Sequence, residues 1–166
     1  MFPDLTVTLD SPEATAAFAR RFAPALGPGD LLLLSGEIGA GKSHFARAVI
    51  STRLAALGLY EDIPSPSYTL VQTYEAGGLQ IWHSDLYRLT DTYEIQELGL
   101  LDAFDDALCL VEWPDRLGPL APKKAARLDF APGAHPDQRR LRIVVPEGAL
   151  RSALATAAAT VPELAP

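Results

Sequence analysis

Leu5, Val7 and Leu9 alternate with Thr6 and Thr8, and this period of two predicts a strand with one buried face, ending near Asp10. Ser11-Pro12 follows, a hydroxyl suited to capping a helix and a proline suited to its first turn; Phe18, Phe22 and Leu26 then recur at four-residue intervals. The spacing predicts an amphipathic helix, broken by Gly27-Pro28-Gly29-Asp30. Leu31 to Leu34 are apolar without interruption, as in a strand covered on both faces. Beyond Lys42 the apolar positions Phe45, Val49, Ile50, Leu54 and Leu57 fall at helical spacing, and Gly58 is placed to end that helix.

Residues 68–74 and 79–85 both read as strands, and the glycine-bearing link Glu75-Ala76-Gly77-Gly78 joins them into a hairpin. Pairing Tyr74 with Leu79 sets Asp85 opposite Tyr68, at the end of the sheet that also holds Ile63-Pro64-Ser65-Pro66-Ser67. A helical stretch from about Thr92 to Leu98 precedes a second wholly apolar run, Ala107 to Val111, which ends in Glu112-Trp113-Pro114. Leu128 to Phe130 and the alternation from Leu141 to Val145 predict closing strands, antiparallel and near an edge. Beyond Pro146 the chain is Ala-rich and reads as a loosely held helix. The expected architecture is an α/β domain over residues 1–146, with a mixed central β-sheet flanked by helices, and a tail over 147–166.

A chain of 166 residues fits one domain, and 48% hydrophobic with 21% charged residues predicts a compact core. The formal net charge of −7, with a pI near 4.9, is the wrong sign for a surface that grips a nucleic-acid backbone. Any role near RNA is expected to run through a partner protein. Cys109 is the single cysteine and has no intrachain disulfide partner, and Met1-Phe2-Pro3-Asp4-Leu5 lacks the basic-then-apolar order of a secretory signal. The expectation is a cytoplasmic protein. No apolar run approaches the about eighteen residues needed to cross a bilayer, so no membrane association is expected. His44, His83 and His135 lie far apart, without zinc-ligand spacing.

The chemistry concentrates between the first apolar run and the helix after it. In Gly36-Glu37-Ile38-Gly39-Ala40-Gly41-Lys42-Ser43 the glycines let backbone N–H groups point inward at phosphate oxygens, and the following helix adds its positive dipole end. Lys42 is the expected contact to the β- and γ-phosphates and the Ser43 hydroxyl the expected magnesium ligand. A magnesium ion in this setting also needs an acid at the tip of a neighbouring strand. Glu112 fits best and Asp85, ending the hairpin, is the second candidate. Ser65, Ser67 and Thr69 carry hydroxyls within reach of a γ-phosphate if their segment is more than a rigid connector. Trp113 either covers the nucleotide, presents a surface to a partner, or packs at a strand end. Asp115-Arg116-Leu117-Gly118 matches the γ-phosphate-sensing pattern of GTPases, but Pro114 before it reads as an ordinary turn. The chain contains no asparagine, so the guanine-reading Asn-Lys-x-Asp motif is absent and ATP is favoured over GTP.

Together the phosphate loop, Ser65-Pro66-Ser67-Tyr68-Thr69-Leu70-Val71, His83-Ser84-Asp85-Leu86-Tyr87-Arg88-Leu89 and Leu110-Val111-Glu112-Trp113-Pro114 resemble the bacterial TsaE family, also called YjeE. The likeness spans roughly residues 5–145. It implies a P-loop NTPase fold and a magnesium-dependent ATPase, weak alone, that supports threonylcarbamoyladenosine (t6A) modification of tRNA at position 37. The implied partners are a TsaD-like transferase subunit and its inactive TsaB-like paralogue, with tRNA reached indirectly through that complex. The resemblance also implies that Lys42 and its loop bind ATP, that Ser43 and Glu112 ligate magnesium, and that Asp85 assists catalysis or orders the loop near the γ-phosphate. Trp113 would act next to the nucleotide, Ser11 and Thr15 near the adenine, and Ser65 to Thr69 as a γ-phosphate-dependent switch. Ser43 replaces the family's more frequent Thr and keeps the hydroxyl; His44 stands where another Thr is common, at the position expected to approach the α-phosphate.

Two rival readings share the phosphate loop. A small-molecule kinase needs an arginine-bearing lid, and no such segment is apparent; a non-catalytic adaptor would use ATP only to fix a surface for partners. No arginine is obviously placed as a finger. Arg88 reads as an ion-pair partner for Asp85, leaving the missing group to a partner protein.

Overall fold

The computed structural model describes residues 4–146 and 148–160; Met1 to Pro3, residue 147 and the end of the Ala-rich tail, 161–166, lie outside the described residues. Seven strands form one mixed sheet: β1 (Leu5–Leu9), β2 (Leu31–Ser35), β3 (Val71–Ala76), β4 (Leu79–Asp85), β5 (Leu108–Glu112), β6 (Ala126–Pro132) and β7 (Arg139–Val144). Their order across the sheet is β1-β7-β6-β2-β5-β4-β3. The strands β6, β2, β5 and β4 run parallel; β7 and β3 run antiparallel to them at the two sides, and β1 pairs antiparallel with β7.

Among the described residues five α-helices pack on this sheet: α1 (Pro12–Phe22), α2 (Lys42–Ala55), α3 (Thr92–Glu97), α4 (Leu100–Asp106) and α5 (Ala149–Thr160). Ser11 caps α1, its hydroxyl accepting from the Ala14 N–H at 3.1 Å, with Pro12 in the first turn. On one face of the sheet Phe18, Phe22 and Phe45 stack under α1 and α2 against Leu32, Leu34 and Leu128, and α5 joins them through Leu154 and Ala157. On the other face α3 and α4 cover Leu31, Leu33, Cys109 and Val111 with Ile95, Leu100 and Phe104. The fully apolar runs on β2 and β5 follow from this double coverage.

Two expectations are corrected. The hairpin turn holds only Gly77 and Gly78, both at positive φ, so Glu75 and Ala76 stay in β3 and Ala76, not Tyr74, faces Leu79. Tyr74 pairs with Ile81, the strand begins at Val71 opposite Ser84, and Tyr68 lies in a turn rather than opposite Asp85. The strand around Leu128 to Phe130 is not an antiparallel edge: β6 is an inner strand, parallel to β2 and antiparallel only to β7. Its alternation reflects one open face, where Arg127 is exposed and Asp129 half-buried, not a position at the rim.

Candidate nucleotide and metal site

The turn from β2 into α2 builds the centre of the site. Gly36, Gly39 and Gly41 all have positive φ, and at Gly36 a Cβ would sit 2.7 Å from the Phe130 carbonyl oxygen. Only glycine passes there without displacing β6. Gly41, with φ of 106°, stands immediately before α2, so the helix N-terminus opens toward the loop. Arg139, at the start of β7, fixes this loop from outside: it donates to the Ala40 carbonyl at 3.0 Å and the Gly39 carbonyl at 3.1 Å. Within the loop the Ala40 N–H donates to the Glu37 carbonyl at 3.0 Å, closing its turn. The motif pattern does not single out Arg139, which lies 99 residues along from Ala40 and carries no motif of its own.

Strand alternation brings the acids to the same place. Ile81, His83 and Asp85 share one face of β4, and Leu108, Leu110 and Glu112 share that face of β5, the one covered by α2. Asp85 and Glu112 are register partners at the strand tips. Glu112 is 2% exposed, and each of its oxygens has a partner: the Ser43 hydroxyl donates to Oε1 at 2.7 Å, and His83 Nε2 lies 2.7 Å from Oε2. Asp85 Oδ1 accepts from the Tyr87 N–H at 2.9 Å, Oδ2 from the Ser67 hydroxyl at 3.4 Å, and the Asp85 N–H donates to the Leu70 carbonyl. The Ile63–Ser67 segment thus does converge on Asp85, through Ser67 and a turn at Leu70 rather than through strand pairing.

Lys42 is 5% exposed and donates to the carbonyls of Gly36 and Glu37. Its ammonium lies 3.9 Å from the centre of the Trp113 ring. Burial pulls its pKa below the ordinary lysine value, opposed by the nearby charges of Glu112, Asp85 and Asp115. Trp113 is one of two non-glycine residues at positive φ among the described residues, the other being Leu70. Both stand where a strand meets the cleft, and such backbone is costly unless its surroundings hold it. Trp113 is held by the Tyr87 ring, 4.8 Å away between centroids.

A cleft of about 510 Å³ opens over these groups, bounded by the phosphate loop, His44, Asp85, Glu112 and Trp113, with Tyr68 and Arg88 on its far side. Arg88 is not paired with Asp85: its guanidinium lies near the Ser67 and Tyr68 carbonyls, at 3.4 and 3.5 Å, and over the Tyr68 ring. His44 lines the cleft and donates from Nε2 to the Pro12 carbonyl at 2.8 Å, tying the start of α2 to the start of α1. Ser11 stands next to that carbonyl but does not itself line the cleft, and neither does Thr69, whose hydroxyl accepts from Gln72.

The Ser43 hydroxyl and Glu112 carboxylate supply hard oxygen donors of the kind magnesium prefers. Among the described residues there is no cluster of three or more His, Cys, Asp or Glu arranged to hold a metal. Also among the described residues, no helix is long and apolar enough to cross a membrane.

A mixed sheet with a parallel centre, a strand–glycine loop–helix unit, a lysine at the helix start and an acid on the adjoining strand define a P-loop NTPase fold. The family model described as threonylcarbamoyl adenosine biosynthesis protein TsaE matches residues 9–141, and the chain belongs to this family. Curated relatives named tRNA threonylcarbamoyladenosine biosynthesis protein TsaE include that of Rickettsia conorii, 43% identical over 65% of this chain and 60% of the relative. That of Rickettsia bellii is 41% identical over 69% of this chain and 77% of its own length. Among solved structures, the crystal structure of YdiB from Bacillus subtilis superposes with a TM-score of 0.74 at 26% identity, covering 95% of each chain.

Proposed function

We propose that this protein binds and hydrolyses ATP with magnesium in the cytoplasm, and that this supports t6A modification of tRNA in a complex with a TsaD-like transferase and a TsaB-like paralogue. The observation that carries the reading is the Ser43–Glu112 contact at 2.7 Å, set beside Lys42 at the mouth of a phosphate loop. The loop from Gly36 to Ser43 would bind the phosphates through its N–H groups, and Lys42 would leave the Gly36 and Glu37 carbonyls to offset charge on the transferred phosphoryl group. Ser43 and Glu112 would hold magnesium, which when bound neutralises charge on the phosphate oxygens. Asp85, anchored by the Tyr87 N–H, would keep the Ser67 segment against the γ-phosphate side of the cleft and orient the attacking water there. Trp113 would hold the Lys42 ammonium in place through its ring face. The net charge of −7 supports reaching tRNA through partners and not through a basic surface of this chain.

The test is phosphate release from ATP by the purified chain, alone and with the transferase pair and tRNA. The expected result is slow turnover that partners accelerate and that Lys42→Ala abolishes. Turnover unchanged in Lys42→Ala would overturn the reading.

A further inference from the structure

We propose that His83 is a positioning residue for Glu112, fixing the direction of the carboxylate assigned above to magnesium; the inference rests on that assignment. His83 lies inside β4, fully buried, in register with Leu110 and one step short of the Asp85–Glu112 pair. Its Nε2 is 2.7 Å from Glu112 Oε2, whereas its Nδ1 is buried with no hydrogen-bond partner among the described residues.

This asymmetry sets the tautomer. A proton on Nδ1 would be a buried donor without an acceptor, while Nε2 faces an ionised carboxylate, which only accepts. The proton therefore sits on Nε2 and is donated to Oε2. The opposite oxygen, Oε1, takes the Ser43 hydroxyl. The two donors hold Glu112 by one oxygen each, and the residue lines the cleft, so its carboxylate is fixed in orientation there. A histidine serving only as core filling at this place would be no better than a leucine, and it leaves one nitrogen unsatisfied; the contact to Glu112 is what the imidazole adds. Supporting groups of this kind typically change metal affinity by about 10–100-fold when removed.

The probe is Mn2+ binding to the ADP-bound full chain, followed by electron paramagnetic resonance, with ADP binding in EDTA measured in parallel. His83→Phe, which conserves aromatic bulk, should weaken Mn2+ binding by about 10–100-fold and leave metal-free ADP binding within about twofold. His83→Gln, which keeps an N–H donor, should recover most of the loss. Wild-type Mn2+ affinity in His83→Phe, or no recovery in His83→Gln, overturns the proposal. Glu112→Gln separates the two levels: if it weakens Mn2+ binding while His83→Phe does not, only this inference fails; if it too binds Mn2+ normally, the metal-site assignment fails. Imidazole nitrogen resonances of the unsubstituted chain give a readout independent of any variant's folding: the Nε2–H form is expected, and the Nδ1–H form would contradict the proposal.

Discussion

Arg139 holds the phosphate loop by its carbonyls, donating to Ala40 and Gly39 at 3.0 and 3.1 Å from the first residue of β7. The link joins two segments 99 and 100 residues apart and ties the loop's backbone to β7. Arg139→Ala should therefore weaken nucleotide binding by about tenfold, the worth of one partly exposed charged hydrogen bond, with little change in melting temperature. Arg139→Lys should restore only part, because an ammonium lacks the fork that spans both carbonyls. Fluorescent-ADP titration checks this; wild-type affinity in Arg139→Ala would show that the loop keeps its shape unaided.

Gly36 tests the loop from the other side. Its φ of 146°, and a Phe130 carbonyl only 2.7 Å from where a Cβ would stand, leave no room for a side chain. Gly36→Ala is expected to cost about 1–3 kcal/mol of stability and to abolish nucleotide binding. Chemical denaturation together with the same ADP titration reads both effects, and a variant that binds ADP normally would contradict the close packing of β6 against the loop.

Cys109 lies at the centre of the sheet, and burial raises its thiol pKa to about 12. In the native protein it should resist alkylation through the pH range where an exposed thiol reacts, and become reactive only on unfolding. The linkage has a definite sign. The folded form binds the proton more tightly, so this contribution to stability is intact below the ordinary value of 9.0 and is lost as pH rises toward about 12. Denaturation of wild type and Cys109→Ala across that window should show the stability gap between them shrinking with pH; a constant or widening gap would contradict it.

Much of this arrangement is legible in the chain. Leu31 to Leu34 and Ala107 to Val111 read as doubly covered strands because helices do cover both faces, and the glycines before Lys42 announce the phosphate loop. What escapes has identifiable causes. The strand β6 looks like an edge in sequence because Arg127 and Asp129 face an uncovered side, so its inner position is invisible to alternation alone. The hairpin slips by two residues because Glu75 and Ala76 resemble loop residues, whereas the Gly77–Gly78 pair suffices for the turn. Helix α4, starting after Gly99, is not read from the sequence: its seven residues are too few for the apolar positions to show a helical period. At the site both acids stand at strand tips, Glu112 marked by the apolar run that it ends and Asp85 by its place at the end of the hairpin strand. Arg139 and the His83 contact carry no such mark, since each depends on a pairing across the sheet that no local pattern encodes.

Multiple-turnover t6A formation in a system reconstituted with the transferase pair shows whether Lys42, Ser43 and Glu112 turn over ATP in the service of tRNA modification, as proposed above. Added wild-type chain with ATP should sustain repeated rounds. Glu112→Gln should still bind ATP yet lower the modification rate by at least about 100-fold, the scale on which loss of a charge-stabilising group slows a transfer step. Full modification with Glu112→Gln would contradict it, leaving the nucleotide as a structural ligand and the cleft without a catalytic role.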